Sequence, residues 1–103
     1  MASGRLGAND LAATTNTTVY TVPAGKLATF NVSLTNRNAT PVAVRLAMAA
    51  SGTPTAAEWL FYDHVIAANN TVERTGLVAE AAKLLVAYAS ATGVSVVAYG
   101  LED

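Results

Sequence analysis

Leu27-Ala28-Thr29-Phe30-Asn31-Val32-Ser33-Leu34-Thr35 decides the fold class. Phe30, Val32 and Leu34 fall on one side of an extended chain, while Thr29, Asn31, Ser33 and Thr35 fall on the other. That period of two belongs to an antiparallel strand with one face in a core and the other facing out. After the polar turn Asn36-Arg37-Asn38-Ala39-Thr40-Pro41 the pattern repeats, with Val42, Val44, Leu46 and Met48 opposite Ala43, Arg45, Ala47 and Ala49. Ala47 to Ala50 also favours helix, but the alternation favours strand.

Working outward, Thr17 to Val22 is rich in Thr, Val and Tyr and stops at Pro23-Ala24-Gly25-Lys26, which predicts a hairpin into the central alternation. Ser51 to Glu58 reads as a loop with one helical turn capped by Thr55. Trp59 to Ile66 is bulky on both faces, the mark of a central strand. Ala67-Ala68-Asn69-Asn70 turns the chain, and Thr71 to Val78 resumes with Gly76 at a bulge. Glu80-Ala81-Ala82-Lys83 reads as a helical turn or a connection. Leu84 to Ala89 and Val94 to Leu101, joined across Ser90 to Gly93, read as a last hairpin. About seven strands at spacings of roughly 8 to 14 residues predict an all-β chain, a single antiparallel β-sandwich of jelly-roll or Ig-like type.

Residues 1–16 have only Leu6 and Leu11 as large apolar groups after the initiator, amid Gly4, Gly7, Asn9 and Asp10. They read as an irregular N-terminal arm that docks on a partner, with the sandwich domain spanning 17–103.

The chain has 103 residues, enough for one domain that buries roughly two thirds of its unfolded surface. Alanine supplies 22 of its 54 hydrophobic residues, so burial per residue is thin. Charged residues make up 13%, against about 25% in ordinary soluble domains. A sparsely charged surface is expected to be covered by neighbours, and the alanine-faced strand gives the candidate contact residues Ala43, Arg45, Ala47 and Ala49, joined by Leu6 and Leu11 of the arm. The assembly expected on this reading is a homotrimer or a higher symmetric oligomer.

With a formal charge of −1 and no run of like charges, Lys26, Arg37, Arg45, Arg74 and Lys83 form neither a nucleic-acid stripe nor a membrane-binding patch. No apolar stretch approaches a membrane span, and the N-terminus lacks an apolar signal-peptide core, so neither a membrane nor an export route is expected. The absence of cysteine excludes disulfides and thiolate metal sites. His64 beside Asp63, with Glu58, Glu73 and Arg74 nearby in sequence, is the one acid–base cluster. Neighbouring strand residues point to opposite faces, so Asp63 and His64 enter one site only across a bulge. No catalytic, metal or cofactor site is expected. Trp59 and Tyr62 are candidate glycan contacts if they face outward beside polar groups, since aromatic rings in strands are otherwise core.

Val19-Tyr20-Thr21-Val22-Pro23-Ala24-Gly25-Lys26, Phe30-Asn31-Val32, Thr35-Asn36-Arg37, Glu73-Arg74-Thr75-Gly76-Leu77 and Ala98-Tyr99-Gly100-Leu101-Glu102 resemble small structural proteins of tailed bacteriophages, cyanophages among them. The similarity spans nearly the whole chain. It implies a virion β-sandwich present in many copies, in a tail fibre, baseplate or capsid decoration, with other virion proteins as partners and the virion as its location. The chain lacks an elongated repetitive shaft, so the resemblance implies a compact subunit, adaptor or knob. The alternative expectation is a carbohydrate-binding module for attachment to a host surface.

Overall fold

A computed structural model describes residues 3–103 and contains only strands and turns. The eight strands are β1 (Ser3–Leu11), β2 (Thr17–Thr21), β3 (Ala28–Asn36), β4 (Val42–Ala49), β5 (Trp59–Ile66), β6 (Thr71–Ala79), β7 (Leu84–Ala89) and β8 (Val94–Glu102). They form two four-stranded antiparallel sheets, in the orders β1-β8-β3-β6 and β2-β7-β4-β5. Both sheets contribute to one core, in which Phe30, Val32 and Leu34 of β3 meet Val44 and Leu46 of β4 and Leu85 of β7. Each such side chain stabilises the fold by roughly 1.5–3 kcal/mol on full burial. Alanines at 28, 79, 87, 89 and 98 are buried in the same layer.

The expected arm is largely a strand. Of residues 1–16, the first two lie outside the described residues, and Ser3–Leu11 pairs with β8 from Ser3↔Leu101 to Leu11↔Val94. Glycine, asparagine and aspartate are poor strand formers. The pairing therefore comes from tertiary structure, and Gly7 shows how. A Cβ at Gly7 would lie 2.2 Å from the Val19 carbonyl oxygen, so only glycine lets β1 pass this close to β2. Leu11 is 2% exposed within the core, and Leu6 packs partly buried against it. Both are occupied by their own chain rather than held out for a partner. Beyond β1 the chain crosses between sheets, where Ala13 bridges Ala89 in parallel and the Thr14 N–H donates to the Ala89 carbonyl at 2.8 Å.

Neither expected terminal hairpin forms. β2 pairs with β7, and β3 pairs with β6 and β8, so the Pro23–Lys26 turn carries the chain from one sheet to the other. Ser90–Gly93 does the same between β7 and β8. Among consecutive strands, only β4 and β5 are hydrogen-bonded neighbours. β5, expected to be central, is an edge strand, with Leu60, Tyr62 and Val65 exposed. Ser51–Glu58 is a loop, as expected, without the helical turn at Thr55, and Glu80–Lys83 is a connection rather than a helical turn.

One end of the molecule is tied by Asn36, the one fully buried polar residue among those described. Its Nδ2 donates to the carbonyls of Thr40 (2.9 Å), Ile66 (3.1 Å) and Ala67 (3.3 Å), while its Oδ1 accepts the Asn38 N–H at 2.9 Å. Arg37 binds Asp10 of β1 at 2.5 Å, and Asn38 Nδ2 donates to the Thr92 carbonyl at 2.7 Å. The β3–β4 turn thus holds β1, the β5–β6 turn and the β7–β8 turn together. At the other end Tyr20 of β2 stacks edge-to-face on Phe30 at 5.8 Å and donates its hydroxyl to the Glu102 carboxylate.

Candidate functional site

The outer face of the β2-β7-β4-β5 sheet gathers most of the singled-out residues. On β4 the alternation places Val42, Val44, Leu46 and Met48 toward the core and Ala43, Arg45, Ala47 and Ala49 outward, as the sequence predicts. Register then sets the neighbours. Arg45 lies opposite Tyr88, and Ala47 lies between Val86 and Trp59.

The two halves of this face differ. Ala47 and Ala49 are fully buried with Val86, and Trp59 and Leu84 pack around them. Their cover comes from the chain itself. The loop between β4 and β5 runs across this half, far enough that a Cβ on Gly52 would lie 3.8 Å from the Thr18 hydroxyl of β2. Glu58 holds the loop closed, its carboxylate accepting the N–H groups of Thr55 (2.7 Å) and Ala50 (3.0 Å). These bonds, Thr55 first and Ala50 second, hold the Glu58 pKa below its ordinary value. Ala47 and Ala49 are therefore a small second core, and the expectation that they meet a neighbouring subunit is overturned.

The other half is open. Arg45 extends between two tyrosines, its guanidinium carbon 4.0 Å from the Tyr62 ring centroid and 4.3 Å from that of Tyr88. Its Nε donates to Asp63 at 2.7 Å, and this bond is the main reason its pKa rises above the ordinary value. Trp59 and Tyr62 meet edge-to-face at 5.1 Å. Tyr62 is 54% exposed and Trp59 is half-buried. The two candidate glycan contacts thus touch each other, with Arg45 beside them and Ala43 half-buried on the same face.

A bulge makes this arrangement. β5 slips register against β4 between Val44 and Leu46, and Asp63 has φ +51°. That conformation is uncommon outside glycine, with aspartate among the residues that tolerate it best. The bulge turns Asp63 toward Arg45, while the His64 ring lies 5.6 Å from Phe61. Asp63 and His64 are not brought into one site. Among the described residues no group of three metal-ligating side chains occurs and no cavity opens.

Tyr88 was not singled out from the sequence. Alternation along Leu84–Ala89 puts it outward with Leu84 and Val86, but its place against Arg45 depends on the pairing of β4 with β7, which no local pattern reveals. Exposed apolar groups occur on both sheets: Leu60, Tyr62 and Val65 lie on the edge strand β5, Val78 of β6 and Leu101 of β8 flank Thr29 on the other sheet, and Leu27 precedes β3. The opposite edges, where β1 runs along β2, are closed by Gly7 against Val19. Comparison with protein-family models, with curated proteins and with solved structures gives no match to this chain.

Proposed function

We propose that the chain is a non-enzymatic structural subunit of a tailed-phage virion, tail-fibre or baseplate associated or capsid decorating, and that its two sheets form a jelly roll. The strand order supports the jelly-roll reading. First pairs with last, second with seventh, third with sixth and fourth with fifth, as when one long hairpin is wound into two sheets. Jelly rolls serve in viral capsids and in lectins, so the fold lends support by analogy and leaves function to the surface.

The observation that carries the assembly reading is the exposure of Leu60, Tyr62 and Val65 together along β5, which with β6 forms the open edges of the two sheets, in a chain with 13% charged residues. Clustered apolar groups on a sparsely charged surface mark a contact with other protein. Both edges are bulged, at Asp63 (φ +51°) and Gly76 (φ +70°), which disfavours addition of a further strand. Contact with copies of itself, as a homotrimer or larger ring, and with other virion proteins then proceeds through side chains. The test is antibody labelling of purified particles under the electron microscope. Label on tail or capsid supports the reading and selects the location, whereas unlabelled particles that also lack the chain by mass spectrometry refute it.

A second reading, attachment to a glycan, is favoured by one observation: Tyr62 stands 54% exposed beside Arg45 and Asp63.

A further inference from the structure

We infer that the open half of the outer sheet is a binding platform for a neutral, extended polysaccharide, in which the Tyr62 ring stacks on a pyranose while Asp63 and Arg45 bond its adjacent hydroxyls. The inference rests on the glycan reading and assigns it a site and a ligand class. Three observations carry it.

The first is rigidity. An exposed tyrosine on a surface strand ordinarily turns freely, but Tyr62 is held by Arg45 at 4.0 Å and Trp59 at 5.1 Å while more than half of it stays in solvent. Arg45 is fixed in turn by Tyr88 at 4.3 Å and by Asp63. A ring presented in one orientation loses little freedom on binding, which is where affinity for a flat ligand is otherwise lost.

The second is the polar pair beside the ring. Asp63 uses only Oδ1 toward Arg45, and among the described residues Oδ2 accepts no hydrogen bond, with the side chain 51% exposed. Arg45 is bonded only through Nε among the described residues, leaving its terminal N–H groups as donors. The free acceptor Oδ2 and the free terminal N–H donors sit on side chains joined by the 2.7 Å Nε–Oδ1 bond, and such a pair suits two neighbouring hydroxyls of a sugar, each of which donates and accepts. The charges cancel, so the pair selects a neutral ligand over an anionic one.

The third is shape. No cavity opens among the described residues, so a single sugar cannot be enclosed. A chain running across the face, touched by one ring and two polar groups, fits instead. Binding at one such platform is weak, with Kd of about a millimolar, and becomes useful when copies act together.

The chain contains one tryptophan, Trp59, and it touches Tyr62, so the platform has its own reporter. The experiment titrates the 103-residue chain with cellohexaose, maltohexaose, mannohexaose and xylohexaose, following Trp59 emission and confirming binding by isothermal calorimetry. The expected result is saturable binding of at least one hexasaccharide, weakened about tenfold or more by Tyr62→Ala and by Asp63→Asn in variants that keep the wild-type melting temperature. Raising salt from ~0.05 to ~0.5 M should change the affinity less than about twofold, since the pair carries no net charge. Equal binding by wild type and Tyr62→Ala overturns this site while the glycan reading survives. Absence of binding to all four hexasaccharides and to a broad glycan array overturns both. Self-association that Tyr62→Ala abolishes, without sugar binding, also overturns the inference and assigns the face to a second copy of the chain.

Discussion

Replacing Asn36 by alanine tests whether a polar hub, rather than apolar packing alone, closes one end of the molecule. Asn36 is fully buried and makes four hydrogen bonds, three given through Nδ2 and one taken at Oδ1. Two N–H groups serve three carbonyls, and the 3.3 Å contact to Ala67 shares a proton, so the set counts as about three full bonds. At ~1 kcal/mol net each, alanine should cost ~3 kcal/mol, and more where a carbonyl is left without water. Against a domain stability of roughly 5–15 kcal/mol that is a large fraction, with a fall in Tm of roughly 12–24 °C. Urea unfolding followed by Trp59 emission and circular dichroism measures it. A loss under ~1 kcal/mol with unchanged m-value would show that water replaces the side chain and that the hub does not hold the end together. Asn36→Asp adds a sign. A carboxylate facing the Thr40 and Ile66 carbonyls has its folded pKa raised, because both desolvation and the carbonyl dipoles oppose the charge. The folded variant then binds more protons than the unfolded one, and its stability should recover as pH falls through the raised pKa. A variant that weakens on acidification in that window would refute the placement of Nδ2 against those carbonyls.

Four further outcomes follow from the same structure. Ala47→Glu puts a carboxylate among Ala49, Val86 and Trp59 beneath the chain's own loop, so it should cost ~3 kcal/mol or more of monomer stability, read by thermal melting; a variant that folds normally and only fails to assemble would restore the interface reading. Gly7→Ala sets a methyl 2.2 Å from the Val19 oxygen and should lower stability by ~3 kcal/mol, with faster amide exchange in β1 than elsewhere; uniform exchange would refute the close approach. The Tyr20 hydroxyl is pushed well above its usual pKa, by burial first and the Glu102 carboxylate second. Folding stability held below pH ~10 should therefore fall as pH rises beyond it, and Tyr20→Phe should remove that alkaline loss while costing ~1 kcal/mol at pH 7. Glu58 has a lowered pKa, so its stabilisation is present above the ordinary glutamate value and is lost as pH falls through the folded one. Glu58→Gln should flatten the acid limb of a Tm–pH curve, and an unchanged limb would count against the loop clasp.

The seven strands from β2 to β8 were legible in the sequence, and their ends fall within a residue or so of the expected ones. Alternation is a local property, so Phe30-Asn31-Val32-Ser33-Leu34 announces itself without help. β1 does not, because Gly4, Gly7, Asn9 and Asp10 argue against a strand and only β8 and the Val19 backbone make one. Partner choice was equally hidden. The Pro23–Lys26 turn has the residues of a hairpin, yet its strands enter different sheets, since each buries its apolar row against the other sheet rather than beside its neighbour in sequence.

The candidate site divides along the same line. Which residues point outward on β4 followed from alternation, but what covers them did not. Ala43-Val44-Arg45-Leu46-Ala47-Met48-Ala49 carries the same small-residue signal throughout, and only the path of the loop over residues 50–58 separates a closed half from an open one. An alanine row thus has two meanings, a seat for a partner or a seat for the chain's own loop, and the deciding information lies in a segment with no periodicity. Arg45 illustrates the converse. Alternation placed it among the outward residues of β4, but its chemistry is set by Tyr62 and Asp63 across a bulge and Tyr88 across a non-local pairing. A guanidinium already flanked by two rings and a carboxylate is a rigid, neutral unit rather than a free cation. A partner bound there, as proposed above, would be selected by shape and hydrogen bonding rather than by long-range attraction, and its contacts should persist at high salt.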